Sequence, residues 1–453
     1  MSDMVDEISA SYEKLQFDDL SPEVVNTTKK FILDTLGCGL AGKKAPGCSE
    51  AYELFKSFGG KEEATVLGFN SRMPCPHAAF VNSVVSHALD FDDTLDEAAM
   101  HCYVSALPAA LSLAEARHAS GRQLVTSVAL GVDLTCRLGV AIKTPLSWVR
   151  TATCGSFGAT AAAGKVLNLK QQDLRNAFGV VYSQTSGNMQ CLLDGGLSKR
   201  MQPGFSARAG VLSALMAEAG ITGARDVFEG RFGFFNLYEH GAYDRERCLE
   251  GLGKEFFGMK LSIKPYPSCR MTHSSIDAAL AVREKYGFNF EEVDRVEILV
   301  CDMSREMVGG PFEVRENPQV DAQFSIPYTV GVALTKRKPF IEDFDEAVVR
   351  SEQRKLVASR ISVLTDKNID VRDIKPATIK VFLKNGELLT HRIDVLKGHP
   401  ENPVSWEECK EKFKKCAALG IRKYSDQKID RLVETILNLE KVKDAGSILT
   451  VLL

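Results

Sequence analysis

The sequence predicts a mainly α protein with an α+β part inserted before its C-terminal helices, and three observations carry this expectation. From Ser21 to Ala219, apolar residues recur at helical spacing in Ala-rich segments. Beyond Lys264, strand-length runs rich in β-branched residues stand at Val293–Cys301 and Thr378–Leu383. After Pro403, amphipathic helical spacing returns at Trp406–Leu419 and Asp426–Val442. The expected organisation is residues 1–264 as the first part of a large helical domain, 265–402 as the α+β part, and 403–453 as helices returning to the helical domain.

Each element has a local reason. Ser21 is an N-cap, Pro22 suits the first helical position, and Glu23 supplies an acidic first turn, so Val24, Val25, Thr28, Phe31, Ile32, Thr35 and Leu36 carry a helix into Gly37. A small β element around Glu63–Phe69 follows from Ala64-Thr65-Val66-Leu67 between glycines. Further helices are expected at Ala78–Leu89, Leu107–Ala119, Val125–Ile142, Ser156–Leu169, Leu174–Ser183 and Ala207–Ala219. In the α+β part, helices at His273–Tyr286, Phe324–Thr335 and Arg350–Thr365 separate the strands, and Asn385-Gly386 signals a hairpin returning over Glu387–Ile393.

Composition excludes several classes. The 453 residues are 45% hydrophobic and 25% charged with a net charge of −3, which rules out disordered and fibrous chains. A near-neutral balance offers no field for nucleic acid and no polybasic run for a membrane surface, so neither is expected as a partner. The twelve cysteines show no CxxC and no zinc-type spacing, and an N-terminus without an apolar segment leads to the expectation of a cytoplasmic protein with reduced thiols and no metal.

Gly37-Cys38-Gly39-Leu40-Ala41-Gly42-Lys43 satisfies GxGxxG, but a phosphate loop needs a preceding strand and the residues before Gly37 have helical period. Helix capping and close packing are the better reading. The sharpest feature is the run from His87 to His101, which gathers six ionisable groups within twelve residues from Asp90 on. As a helix it would align Asp90, Thr94, Glu97 and His101 on one stripe, and a His beside a carboxylate is a tunable acid–base unit. A solvated or salt-bridged acidic face is the bland alternative. Asp92-Asp93-Thr94-Leu95-Asp96 also spells DDxxD, a magnesium–diphosphate motif in some helical enzymes, but no second acidic motif accompanies it. Three further segments combine cations with turn residues: Asp194–Gly204 with Lys199 and Arg200, Ser262–His273 with Lys264, Cys269 and Arg270, and Gln323–Tyr328. The second could bind anions at a helix start, and Tyr328 could donate a proton, although a lone Tyr is more often core.

Together these segments resemble the MmgE/PrpD family of 2-methylcitrate dehydratases, cis-aconitate decarboxylases and iminodisuccinate epimerases. The likeness rests on Ile32–Cys38, His87-Ala-Leu-Asp90-Phe-Asp-Asp-Thr94, His101 with Leu107-Pro108, Thr153–Gly158, Lys199–Gly204, Lys264–His273 and Gln323–Tyr328, in that order along nearly the whole chain. It implies a cofactor-free lyase, or an epimerase of an iminodisuccinate-type dicarboxylate, with a helical domain, a smaller α+β lid domain, an active site between them and a homodimeric assembly. The family's site positions fall on Asp90, Thr94, His101, Lys199, Lys264 and Tyr328, with Cys269 or His273 at the lid-loop position.

That chemistry suits the residues. Lys199 and Lys264, with Arg200 and Arg270, would neutralise the carboxylates of a small di- or tricarboxylate and the enolate-like charge that builds beside them. His101, oriented by Asp90 and Thr94, is the candidate acid–base group, and Tyr328 or His273 the candidate for the opposite face. The chain departs from the family pattern at His101-Cys102-Tyr103, where dehydratases often have His-Pro-Ser, at Val149, where a histidine is common, and at Cys269, where some decarboxylases place His. A site that only binds carboxylates is the non-catalytic alternative, and a magnesium-dependent DDxxD enzyme a third.

Overall fold

In the computed structural model, which describes residues 2–336, 338–420 and 424–450, the helices start largely where their caps direct. Ser21 Oγ accepts the Val24 N–H at 3.2 Å, and Pro22 opens the Pro22–Gly42 helix. That helix runs past Gly37 to Gly42, because its glycines face neighbours instead of ending it. A Cβ at Gly42 would lie 1.9 Å from the Val85 carbonyl oxygen, and one at Gly37 3.1 Å from Phe413. The GxGxxG pattern is thus a packing groove for the Cys75–His87 and Trp406–Leu419 helices.

The chain forms two units. The first comprises Met1–Ala88, Asp92–Ile263 and Ser405–Leu453, and the second Leu89–Phe91 and Lys264–Val404. Helices dominate the first: Met4–Lys14, Pro22–Gly42, Cys48–Ser57, Cys75–His87, Tyr103–Ala116, Gly121–Ala141, Arg150–Val166, Gln171–Tyr182, Ser198–Glu218, Trp406–Leu419 and Asp426–Leu437. Met4–Lys14 and Cys48–Ser57 were not expected from the sequence. β1 (Ala64–Val66) and β2 (Ser71–Met73) make an antiparallel pair. The Ser198–Glu218 helix begins earlier than its apolar spacing suggests, so Lys199 and Arg200 sit in a first helical turn, with Pro203 inside the helix, and not in a loop.

Two buried cations of this unit are each met by a carboxylate. The Gly121–Ala141 helix is long and apolar enough to span a membrane, yet 94% of that window is buried within the protein. It carries Arg137, fully buried, on Asp133 at 2.7 Å, with the Tyr12 hydroxyl donating to the same carboxylate oxygen at 2.9 Å. Lys412 of the Trp406–Leu419 helix meets Asp34 of the Pro22–Gly42 helix at 2.7 Å, with side chains 8% and 0% exposed.

The second unit is built on a four-stranded sheet ordered β4-β3-β5-β6: Ile361–Thr365, Val293–Val300, Ala377–Leu383 and Leu388–Ile393. β3 is parallel to β4 and antiparallel to β5, and Gly386, at φ +92°, turns β5 into β6. The His273–Tyr286 and Ile326–Thr335 helices pack on the sheet over a core that includes Ile276, Val282, Val296, Ile298, Val330, Ile379 and Val381. The expected Arg350–Thr365 helix is instead a short helix, Glu352–Ala358, followed by β4, because Ile361 and Val363 alternate into this core as β4 pairs with β3.

Two predictions follow from the buried charges of the first unit. Lys412→Met should cost about 3–5 kcal/mol in denaturant unfolding, since it leaves Asp34 buried and uncompensated, and adding Asp34→Leu should recover most of the loss. Burial also pushes Glu115 from 4.5 up to about 7, despite the Thr65 N–H at 2.6 Å and Arg72 at 3.8 Å. Its contribution to stability is therefore full below pH 4.5 and lost as pH rises through about 7. Glu115→Gln should raise Tm relative to wild type at pH 8 but not at pH 4.

Candidate active site

The run after His87 is not a helix. Asp90 sits in the left-handed region at φ +52°, Thr94 makes a two-bond bridge with Ser262, and Leu95 bridges Met100 around a short turn over Asp96–Ala98. The stripe of Asp90, Thr94, Glu97 and His101 as one helix face therefore does not form.

Asp92 and Asp93 both contact His101. His101 Nδ1 lies 3.0 Å from Asp92 Oδ2 and 2.5 Å from the Asp93 carbonyl oxygen. His87 Nδ1, on the last residue of the Cys75–His87 helix, lies 2.8 Å from the same Asp92 Oδ2. Carboxylate and carbonyl oxygens only accept, so both rings carry their neutral-state proton on Nδ1 and present Nε2 as the basic nitrogen. The rings meet edge to face with centroids 4.8 Å apart. Thr151 Oγ1 accepts the His101 backbone N–H at 3.0 Å. His101 is 15% exposed at its side chain and His87 only 1%, so His101 is the accessible partner.

The electrostatics separate the acids. Burial would raise Asp92, but the imidazoles of His101 and His87 outweigh it and hold its carboxyl well below the usual range. Burial and then the neighbouring Asp92 charge push Asp93 up to about 7; its carboxyl accepts the Cys102 and Tyr103 N–H groups at 2.8 and 3.1 Å, where the Tyr103–Ala116 helix begins. Burial and then the Lys199 ammonium lower His87 to about 4. The donor atoms of His87, Asp92 and His101 all lie within 4.8 Å of one another, a set with the spacing for a metal ion, though here the two imidazoles already answer Asp92 Oδ2. The DDxxD reading fails on geometry: Asp92 holds imidazoles, Asp93 holds a helix start, and Asp96 accepts the Ser262 hydroxyl at 2.7 Å.

The other candidates in this unit are Lys199 and Arg200. Lys199 is partly exposed and acts on His87 by charge, whereas Arg200 is buried and donates to the Pro46 carbonyl at 2.8 Å. Val149 is buried at the start of the Arg150–Val166 helix, so nothing titrates at that position.

The second unit gathers its own cluster. Lys264, 1% exposed, donates to the Asp90 carbonyl at 3.0 Å and pairs with its carboxylate at 3.3 Å. Gln323 Nε2 ties the Leu89 and Pro267 carbonyls together at 2.7 and 3.0 Å, and its own carbonyl receives the Cys269 N–H at 2.9 Å. His273 is not a free acid: Nε2 donates to the Ser268 carbonyl at 3.2 Å, which leaves Nδ1 to accept from Arg270 Nη1 at 3.2 Å. Burial, then Arg270 and Lys264, keep it neutral by lowering it well below the usual histidine range. Arg270 also donates to the Lys397 carbonyl at 2.9 Å. Tyr328 departs from the acid role as well, since its hydroxyl donates to the Asp343 backbone carbonyl inside a small cluster with Val332, Phe344 and Val349, and burial raises it. Cys269 is the one cysteine that is not buried.

The acid–base set drawn from the sequence leaves out His87, Asp92 and Asp93, which gather around His101. The signal was present in the His87-Ala-Leu-Asp90-Phe-Asp92-Asp93 run, but a helical reading turned attention to Asp90 and Glu97, whereas the carboxylate paired with His101 is Asp92.

Two profiles match the chain, the MmgE/PrpD N-terminal domain over residues 6–246 and the MmgE/PrpD C-terminal domain over residues 266–439. Cis-aconitate decarboxylase of Homo sapiens is 27% identical, covering 100% of this chain and 95% of its own length. Cis-aconitate decarboxylases of Aspergillus terreus and Mus musculus are 24% and 26% identical, covering 100% and 97% of this chain and 96% and 91% of their own lengths.

The depressed His87 makes a prediction on stability. An unfolded histidine binds its proton near 6.5 and folded His87 only near 4, so its contribution is full above pH 6.5 and lost as pH falls through about 4. Thermal unfolding of wild type and His87→Asn from pH 7 to 4 should show a smaller drop in Tm for the variant.

Proposed function

Because the chain belongs to the MmgE/PrpD family, we propose that it is a lyase that decarboxylates a small tricarboxylate of the cis-aconitate type by acid–base chemistry at His101. The observation that carries this reading is the pairing of His101 Nδ1 with Asp92, which stabilises the imidazolium and leaves Nε2 to exchange a proton with substrate. Loss of CO₂ from the methylene arm leaves an allylic electron pair. A new terminal C=C forms, and the distal carbon, next to a carboxylate, takes the proton from His101. Lys199, whose charge acts on His87, is the proposed partner of a substrate carboxylate, with Arg200 of the same helix holding the Pro46 backbone.

Dehydration of a 2-methylcitrate-type substrate or epimerisation of an iminodisuccinate-type one would use the same imidazole as a base. The relatives' names favour decarboxylation. The reaction is proposed to need no cofactor. A homodimer is proposed from the exposed apolar residues Leu54, Phe58 and Phe205 around the stacked Phe55 and Phe80, and a cytoplasmic setting from twelve free cysteines.

Proton NMR in D₂O with cis-aconitate, 2-methylcitrate, citrate and iminodisuccinate should show new vinyl signals and loss of a carboxylate from cis-aconitate alone, at a rate unchanged by EDTA. His101→Gln should lower kcat by about 100-fold or more with the fold retained. Full turnover by that variant would refute the assignment.

A further inference from the structure

The proposed function uses His101 and Asp92, but His87 has no part in it, and its placement is specific. Three facts meet at one atom. His87 Nδ1 and His101 Nδ1 point at the same Asp92 oxygen, at 2.8 and 3.0 Å. The other carboxylate oxygen, Oδ1, is buried and accepts no hydrogen bond from the described residues. The two rings meet edge to face, with centroids 4.8 Å apart.

An anionic oxygen that receives two N–H donors gives each a weaker bond than it would give one. Whatever His87 takes from Asp92 is withheld from the His101 imidazolium. We propose that His87 is a positioning residue for the acid–base step: by holding a permanent N–H on Asp92 Oδ2, it fixes that carboxylate in place and limits how strongly it favours protonated His101. This rests on the function proposed above and adds a second histidine to its machinery.

The surroundings keep His87 in that role. Lys199, on the Ser198–Glu218 helix, opposes a second positive charge there, and the ring is enclosed. Asp93 on the same loop is turned toward the Cys102 and Tyr103 N–H groups, away from both rings' Nδ1 atoms except through its backbone carbonyl on His101. Asp34, which acts on Asp92 from the Pro22–Gly42 helix, is answered by Lys412 of the Trp406–Leu419 helix. Tyr103, at the start of the Tyr103–Ala116 helix, faces Asp93. Asp92 is thus the acceptor that both imidazoles share.

Two variants separate donation from mere packing. His87→Leu removes the N–H while filling the space, and His87→Asn keeps an N–H near the Nδ1 position without a titrating ring. The alkaline limb of the kcat/KM profile, where His101 loses the proton it must give, should move up by about half a pH unit or more in His87→Leu and stay at the wild-type position in His87→Asn. A folded His87→Leu enzyme with an unmoved alkaline limb would overturn the proposal. Should His87→Leu not fold, ¹⁵N NMR of histidine-labelled wild type decides, with His101→Gln used for assignment. Both rings should show protonated Nδ1 and bare Nε2 at pH 8, and a His87 ring with bare Nδ1 would overturn the proposal. Absence of turnover on every carboxylate would sink the proposed function alone, because the ¹⁵N titration of His101 in wild type and His87→Leu reads the shared carboxylate without substrate.

Discussion

A carboxylate enclosed by protein needs hydrogen-bond donors in place of water, and Asp92 takes its donors on a single oxygen. Much around it is arranged by this demand. The Cys75–His87 helix ends where its last side chain can reach that oxygen, and the loop from Ala88 to His101 folds back so that a second imidazole can do the same. Asp93, one residue on, meets the opposite fate: its carboxyl lies on backbone N–H groups at a helix start, and burial, then its neighbour's charge, raise it to about 7. One aspartate is kept charged by histidines, and the other is drawn toward neutrality by burial and by the charge of the first. Adjacent identical residues thus acquire different chemistry from their surroundings alone.

The second unit solves a related problem with backbone carbonyls. Lys264 is satisfied by both the carbonyl and the carboxylate of Asp90, and Ser268 fixes the tautomer of His273 so that its other nitrogen can receive Arg270. A neutral imidazole that accepts from a guanidinium is a brace for a cation and not a source of protons. Tyr328 is likewise committed to a carbonyl. Titratable residue types in a motif show that polar work is done there, while the hydrogen-bond partner of each atom determines which work.

The sequence was most legible where local physics decides the outcome. The His273–Tyr286 and Trp406–Leu419 helices have the limits that spacing and flanking residues indicate, and the Asn385-Gly386 turn lies between β5 and β6. It was least legible where a distant partner overrides propensity. β4 is a strand because β3 offers it a parallel edge, a fact carried by residues some sixty positions away. The loop after His87 has helical spacing in its ionisable residues but forms bridges to Ser262 and Met100, and it admits Asp90 with a left-handed backbone. The motif was visible as a motif; which of its carboxylates meets His101 depended on that backbone path.

The tripeptide Leu89–Phe91 gathers with Lys264–Val404, although it is separated from them by most of the helical part of the chain. Gln323 holds the Leu89 carbonyl, Lys264 holds Asp90, and Phe91 meets Phe340 edge to face with centroids 5.6 Å apart. The α+β unit is therefore not a cassette that can be excised at its sequence boundaries. A gene fragment encoding residues 264–404 would leave a buried ammonium without its carboxylate and a buried amide without one of its acceptors, so the modularity suggested by linear order is not a modularity of folding.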